Sequence, residues 1–446
     1  MKHFYLRVQA LSPLAIRSDH AEGGAKTALY IPGATLLGSL AAAHRMLREG
    51  EHTEFADFFL KEQVYFPHLY PALFNSSKSG IHGSIMPVVP FPKTAQTCKR
   101  FSGFMAMPDE DSDEKRHGIR DSLLDWGVFS LLEQAERATP SIQDLLKPLH
   151  SHKDCVYITQ VNNNQVRCGQ VMDHANGYYR RGRLNMTQRM KAQANNTRLQ
   201  TRTGVNRDWG VVEEGILYNR EVFDEGMLFW GELLLADDLP DDLSDKFADD
   251  FKTFVDYANE EECILIGTGR TRGLGSVKVE VWDEEKVTDI RSREIALFTK
   301  RLNLFDTTLR QQAQAAGVST LDHFYFAITL HSASILCDPY LRYQTALETK
   351  LLEKELGVAE NSSKHIYQST GMQHITGWNE LWGTPRTNDY AIEMGSTFLF
   401  AYTGEADTIF FNALHALEER GIGRRRAEGF GRISISDPFH LEGEQA

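Results

Sequence analysis

Two stretches of the chain, 267–275 (GTGRTRGLG) and 421–431 (GIGRRRAEGFG), carry the same pattern. Each runs G-x-G-R-x-R, then G-x-G, and leads into a short alternating strand (Val277, Val279, Val281; Ile433, Ile435). Glycine admits tight backbone bends and close approach, while arginine presents a planar fork of donors to anions. A fold that must accommodate this arrangement twice is constrained to a duplicated scaffold, and the arginines point to a phosphate-rich partner.

The repeat extends beyond the glycines. Phe4, Leu6, Val8 and Ala10 alternate in one candidate strand, and Phe324, Phe326, Ile328 and Leu330 alternate in another, the period of half-buried strands. A second matching pair, 225–230 and 394–400, precedes each glycine loop. An amphipathic helix follows each of these: one over 243–259 with Phe247, Phe251, Phe254 and Val255 on its stripe, the other over 406–420 with Ile409, Phe410, Ala413, Leu414 and Leu417. Strand, intervening material, strand, helix, glycine loop, strand is the order expected of two α+β modules of the ferredoxin-like kind. Phe4 and Gly269 are 265 positions apart but Phe324 and Gly423 only 99, so the first module holds about 166 extra residues. The division expected is a first module at 1–285 with an insertion at about 60–215, a linker at 286–320, and a second module at 321–446. Within the insertion the pattern predicts a helix over 119–137 and a hairpin pairing 156–161 with 166–171.

At 446 residues the chain exceeds the roughly 250–300 at which a single core stops growing, in keeping with two or three domains. No apolar run reaches the roughly 18–20 residues of a membrane span, and GMLFWGELLLA is interrupted by Glu232. The amino end reads as a strand and not as a signal peptide. Five cysteines without a C-x-x-C pair fit a reducing, cytoplasmic setting. The net charge of −13 argues against nucleic acid only until its distribution is read. From 174 to 207 there are eight basic residues and no acidic one, among them Arg180, Arg181, Arg183 and Arg202, beside Tyr178 and Tyr179. From 237 to 262 there are eleven acidic residues and two lysines, a solvated face.

Residues 31–42 (IPGATLLGSLAA) read as a sharp turn into a small-residue helix, with Gly38 allowing close packing and the amino end near Gly33 and Thr35 offering N–H groups to a phosphate. This I-P-G-x-x-x-x-G-x-L element, the paired glycine loops, and the segment 201–207 (TRTGVNR) leading to 214–218 (EGILY) resemble the CRISPR-associated RAMP superfamily. The chain is most similar to the subunit that caps the 5′ tag of the guide RNA in type III effectors, of the III-D kind. The resemblance implies RRM-like folds, binding of the repeat-derived 5′ tag, and assembly with a large polymerase/cyclase-like subunit and RAMP backbone subunits. It carries RNA binding onto Gly33, Thr35 and Gly38, onto Gly267, Gly269, Gly273 and Gly275, and onto Gly421, Gly423, Gly429 and Gly431. Two departures stand out. The second module has no I-P-G element, and its loop reads as two residues longer between the arginines and the final G-x-G.

The anion forks expected on RNA are Arg270 and Arg272 in the first loop and Arg424, Arg425 and Arg426 in the second. Arg180, Arg181, Arg183 and Arg202 join them, with Tyr178 and Tyr179 as stacking faces. Neither loop is a nucleotide site: G-x-x-x-x-G-K-[ST] is absent, and strands follow the glycines where a dinucleotide fold needs a helix. No cofactor is expected. An alternative is a metal-independent guide-processing endoribonuclease using His20, beside Arg17 and Lys26, with His44 as its partner. Another is a protein-only scaffold. A metal reading rests on His150, His152, Cys155 and Cys168, with His174 nearby, whose types suit zinc although their spacing is irregular.

Overall fold

The computed structural model describes residues 2–17, 26–72, 88–105, 116–135, 154–155, 157–161, 164–180, 190–192, 197–205, 212–236, 241–283, 295–318, 321–379 and 383–441. The alternating residues at the amino end form β1 (Lys2–Ala10), and the small-residue segment forms α1 (Gly33–Leu47). β2 (Leu228–Leu235), α2 (Asp241–Glu260) and β3 (Val277–Asp283) complete the first half. β1 is the hub of this sheet. It pairs antiparallel with β2, Phe4 opposite Leu233, and on its other side with β3, Leu6 opposite Val281. Two short strands, Val64–Tyr65 and Tyr70–Pro71, add to the far edge of β2.

The second half consists of α3 (Ile295–Ala315), β4 (Phe324–Leu330), β5 (Ser363–Ser369), β6 (Thr397–Tyr402), α4 (Thr408–Arg420) and β7 (Ile433–Ile435), with helix Thr349–Leu356 between β4 and β5. Its sheet runs β7-β4-β6-β5, all antiparallel. Both halves therefore follow strand, helix, strand, strand, helix, strand along the chain, with the fourth strand beside the first, then the third, then the second across the sheet.

The correspondence reaches single hydrogen bonds. Gly226 N–H donates to the Ala10 carbonyl at 2.8 Å, and Gly395 N–H to that of Leu330 at 2.7 Å. Ser276 N–H donates to Ser12 Oγ at 2.9 Å, and Arg432 N–H to Ser332 Oγ at 2.8 Å. Leu14 bridges Phe223 as Ser334 bridges Ile392. Each of the latter two residues ends a long excursion: a hairpin of Thr197–Val205 with Val212–Phe223 in the first half, and Met372–Ile375 with Asp389–Ile392 in the second.

Several expectations need correction. β4 is not half-buried: all seven of its residues are buried, as are all six of β6. One face of that sheet packs on α4, helix Thr349–Leu356 and Phe298 and Leu302 of α3. Phe305, Leu309 and Ala313 of α3 and helix Leu123–Ala135 of the insertion cover the other. A Cβ on Gly127 would stand 2.5 Å from Leu399 Cδ2, so the glycine lets this helix approach the sheet. The expected linker 286–320 thus holds α3, whose Phe298, Leu302, Phe305 and Leu309 recur at helical spacing and are buried. The predicted helix 119–137 begins as strand Ile119–Asp121 and turns helical only at Leu123. Residues 64–71, assigned to the insertion, still pair with the first sheet. Ile409 is 77% exposed, because the stripe of α4 runs through Phe410, Leu414 and Leu417. The hairpin near 160 pairs Ile158–Val161 with Asn164–Arg167. Among the described residues no helix is long and apolar enough to cross a membrane.

A candidate nucleic-acid interface

The two glycine loops superpose in a register different from that of the first glycines. Ile266 N–H donates to the Gly275 carbonyl at 2.7 Å, and Ile422 N–H to that of Gly431 at 2.9 Å, so Ile266 and Ile422 are equivalent. It follows that Gly267 matches Gly423: Thr268 N–H donates to Ala15 and Arg424 N–H to Ile335, at 2.9 and 3.0 Å. Residues 267–275 and 423–431 are then equal in length, and the two-residue difference expected from sequence vanishes. Gly421 lies outside the loop as the C-cap of α4, at φ +71°. In this register Arg425 (φ 57°) occupies the left-handed position of Gly269 (φ 80°), Arg426 matches Arg270, and Glu428 matches Arg272.

The first loop lies against the hairpin 197–223. Directly opposed residues of an antiparallel pair share a face, and Arg202 stands opposite Tyr218, Gln200 opposite Arg220, and Arg198 opposite Val222. Val222 is buried with Ala15 and with Leu274 of the loop, so this is the face turned to the glycines. Arg272 is exposed and donates to Tyr218 Oη at 3.1 Å; Arg202 donates to Gln200 Oε1 at 3.2 Å. Arg220 Nη1 lies 2.7 Å from where a Cβ on Gly269 would be, so the bare glycine makes room for the guanidinium. Among the described residues no carboxylate pairs with Arg202, Arg220 or Arg272. Arg198 instead makes an exposed pair with Asp224 at 3.3 Å. Arginines on a loop and an adjoining strand, around the partly exposed ring of Tyr218, form a surface suited to phosphate oxygens and a stacked base.

In the second loop one arginine, Arg425, is neutralised from within. Arg425 pairs with Asp389 at 2.8 Å and Glu428 at 2.8 Å and lies over the Phe430 ring, and Arg386 donates to both oxygens of Glu428 at 2.7 and 2.9 Å. Burial disfavours the Arg425 charge, but Glu428 and Asp389 outweigh it and hold its pKa above the usual value. Burial likewise opposes ionisation of Glu428, which Arg425 and Arg386 nevertheless hold below the ordinary carboxylate range. Arg425 is therefore committed to internal carboxylates, contrary to its expected place on RNA. Arg426 donates to the Arg420 carbonyl at 3.3 Å. Arg424 is exposed, at the rim of a cleft of about 250 Å³ lined by Leu336, Leu341, Leu352 and Glu355.

This loop also docks the two halves. Phe66 N–H donates to the Ala427 carbonyl at 3.0 Å, and a Cβ on Gly429 would stand 2.6 Å from His68 Nδ1. A Cβ on Gly33 would collide with the Glu428 carbonyl, and Gly33 N–H donates to His68 Nδ1 at 2.9 Å. The amino end of α1 is thus closed at Gly33 by the protein itself and is not an open phosphate cradle there. Thr35 N–H, expected to be offered to a phosphate, bonds the Pro32 carbonyl, and Gly38, expected to allow close packing, meets nothing within 4 Å. His68 is buried and its pKa falls to about 3, first through burial and then through Arg432. It is a neutral acceptor.

Tyr178 and Tyr179 are 3% and 2% exposed, so they cannot stack bases from outside. Tyr178 packs on Tyr70 at 4.9 Å, and Tyr179 on Phe91 and Phe439 with its hydroxyl donating to Asp437. His44 is 1% exposed, paired with Glu54 and ringed by Phe55, Phe58, Phe59 and Phe254, out of reach of a scissile phosphate. Arg181, Arg183, His20, His150 and His152 lie outside the described residues; of Arg180 only the backbone, in strand Tyr178–Arg180, is described. Cys155 and Cys168 do come together, with Cys98 and His117, neither of which the sequence singled out. His174 stands apart, bonded to the Lys93 carbonyl at 3.0 Å. Sequence reasoning also missed Arg220 and Tyr218. Their signal was the alternation that puts them on the same face as Arg202, readable only once the hairpin register is known.

Residues 7–278, more than half of the chain, match the sequence model of the RAMP superfamily. No curated protein matches. Among solved structures, a chain of a type III-B Cmr-beta complex bound to cognate target RNA and AMPPnP is 10% identical, with 89% of this chain and 86% of that one aligned at a TM-score of 0.34. A chain of the same kind of complex in its apo state is 14% identical over 64% of this chain and 99% of that one, TM-score 0.29. Cmr4 (Cas7) of Pyrococcus furiosus is 11% identical over 63% and 100%, TM-score 0.25.

Proposed function

This chain belongs to the RAMP superfamily, and on that premise we propose that it is a non-catalytic, guide-binding subunit of a CRISPR type III effector complex, of the III-D kind. Its two sheets are read as ferredoxin-like modules. The first glycine loop and the hairpin beside it hold the repeat-derived 5′ tag of the guide RNA through Arg202, Arg220, Arg270 and Arg272, with Tyr218 as the stacking ring. The second loop joins the modules, and the outer surfaces meet the polymerase/cyclase-like and RAMP backbone subunits.

One observation carries this reading. At matched positions the first loop has Arg272 and Gly269, with Arg220 over the glycine, where the second has Glu428 and Arg425 paired with Asp389. Arg425 of the second loop is held by internal carboxylates while Arg272 of the first is turned outward, and outward arginines are what a phosphate chain engages.

The test is photo-crosslinking of a guide with a substituted 5′ tag in the assembled complex, beside incubation of end-labelled repeat RNA with the purified protein. Crosslinks to 197–223 and 267–275 without cleavage are expected. Metal-free cleavage abolished by His20→Ala would establish the endoribonuclease instead, and tag crosslinks confined to other subunits would establish the protein-only scaffold.

A further inference from the structure

The insertion contains a cluster that RNA binding does not use. Cys98 ends strand Ala95–Cys98, His117 precedes strand Ile119–Asp121, and Cys155 and Cys168 flank the hairpin Ile158–Val161 with Asn164–Arg167. One ligand atom from each of the four lies within 4.8 Å of all the others. Cys98 Sγ and Cys168 Sγ are 3.9 Å apart, and Cys155 Sγ is 3.3 Å from His117 Nδ1. A tetrahedron with zinc–sulfur bonds of ~2.3 Å and a zinc–nitrogen bond of ~2.0 Å has edges of about 3.5–3.8 Å, within a few tenths of an ångström of the 3.9 and 3.3 Å found here. A disulfide needs its sulfurs at ~2.05 Å, so Cys98 and Cys168 are placed as neighbours and not as a bonded pair.

We propose that Cys98, His117, Cys155 and Cys168 bind one structural zinc ion that anchors the hairpin to the insertion. The donor set, three thiolates and an imidazole, is that of closed structural zinc sites and leaves no position for substrate. Cys98, Cys155 and His117 are buried, and the His117 ring is held between Phe101 and Tyr157 at 4.4 and 4.1 Å. The described apolar side chains of the hairpin do little to fix it. Ile158, Val166 and Val171 are 57%, 46% and 60% exposed, and no residue from 157 to 171 belongs to a core cluster among the described residues. The two cysteines stand where its strands meet, Cys168 N–H donating to the Tyr157 carbonyl at 2.8 Å and Gly169 N–H to that of Cys155 at 3.0 Å. A metal clipped there closes the hairpin base onto strand Ala95–Cys98, fixing it in place of a core.

The full-length protein, purified without chelator, is expected to carry one zinc per chain by elemental analysis. Replacement by Co²⁺ should give the thiolate charge-transfer and strong visible bands of a tetrahedral sulfur-rich site. Cys168→Ser and Cys98→Ser should reduce bound metal to a trace, and Cys337→Ser, remote from the cluster, should leave it unchanged. If a cysteine variant fails to fold, metal content and reactive-thiol count of the wild type decide alone. Chelation should then expose all five thiols of the unfolded chain. Wild-type protein without zinc, full metal content in Cys168→Ser, or a thiol count lowered by a disulfide would each overturn the site.

Discussion

Arg272 in the first loop and Glu428 at the matched position of the second differ by two units of charge, and the partners around them follow. Tyr218 meets Arg272, whereas Arg386 and Arg425 meet Glu428. Arg425→Ala should lower stability by about 2 kcal/mol, because the largely buried Asp389 loses its cation and Glu428 keeps only Arg386, an effect reduced from the fully buried case by their residual exposure. A drop in the thermal midpoint, with RNA affinity retained by the folded protein, is the expected readout. His68 gives a pH dependence. Its folded pKa of about 3 lies below the unfolded value of 6.5, so only the unfolded chain takes up a proton between them, and stability falls as pH drops through that window. From pH 7 to pH 5 this group should cost roughly 2 kcal/mol. Denaturant titrations at the two pH values should show a smaller loss for His68→Gln, which keeps an acceptor for Gly33 N–H.

At the scale of elements, two glycines that look alike in sequence should respond oppositely to alanine. Gly38 lies inside α1 with nothing near its missing Cβ, so Gly38→Ala should stabilise by about 0.5–1 kcal/mol through the unfolded chain. Gly429 has φ +94° and abuts His68 and Phe66, so Gly429→Ala should destabilise by more than about 1 kcal/mol and open the joint between the halves to proteolysis. Thermal melts and limited digestion check both. The strands and helices were legible because their apolar period survives in the sequence: β1, β4, α2 and α4 all stand where alternation or a stripe put them. The loop register was not, since Gly421, a helix cap, mimics the first glycine of the motif. The second buried face of β4 was hidden because Tyr325 and Thr329 carry hydroxyls and Ala327 is too small to mark a core face. Tyr178 and Tyr179 misled for the opposite reason: a basic neighbourhood in sequence says nothing of burial, and Tyr178 is buried with Tyr70 and Val88, Tyr179 with Phe91 and Phe439. Arg220 and the cysteine cluster needed tertiary pairing that no spacing encodes.

Across the whole molecule, the two halves share a strand order but differ in how they are enclosed and in how their glycine loops are paired. The second half is enclosed on both sheet faces and sends its glycine loop into the first, against Phe66, His68 and Gly33. The insertion closes the arrangement: Asp437 joins Tyr179 to His331, and Asp121 meets His440 at 2.8 Å. The face with Arg220 and Arg272 is the one proposed to meet RNA, and a net charge of −13 does not preclude a locally basic face. The most direct test is the salt dependence of affinity for repeat-tag RNA, measured for wild type, the Arg220→Ala/Arg272→Ala double variant and Arg425→Ala in the same assembly. The account predicts that the double variant binds more weakly and that its log–log salt slope falls by roughly 0.7–1 per arginine removed, while Arg425→Ala keeps the wild-type slope. An unchanged slope in the double variant, or a loss confined to Arg425→Ala, would contradict it.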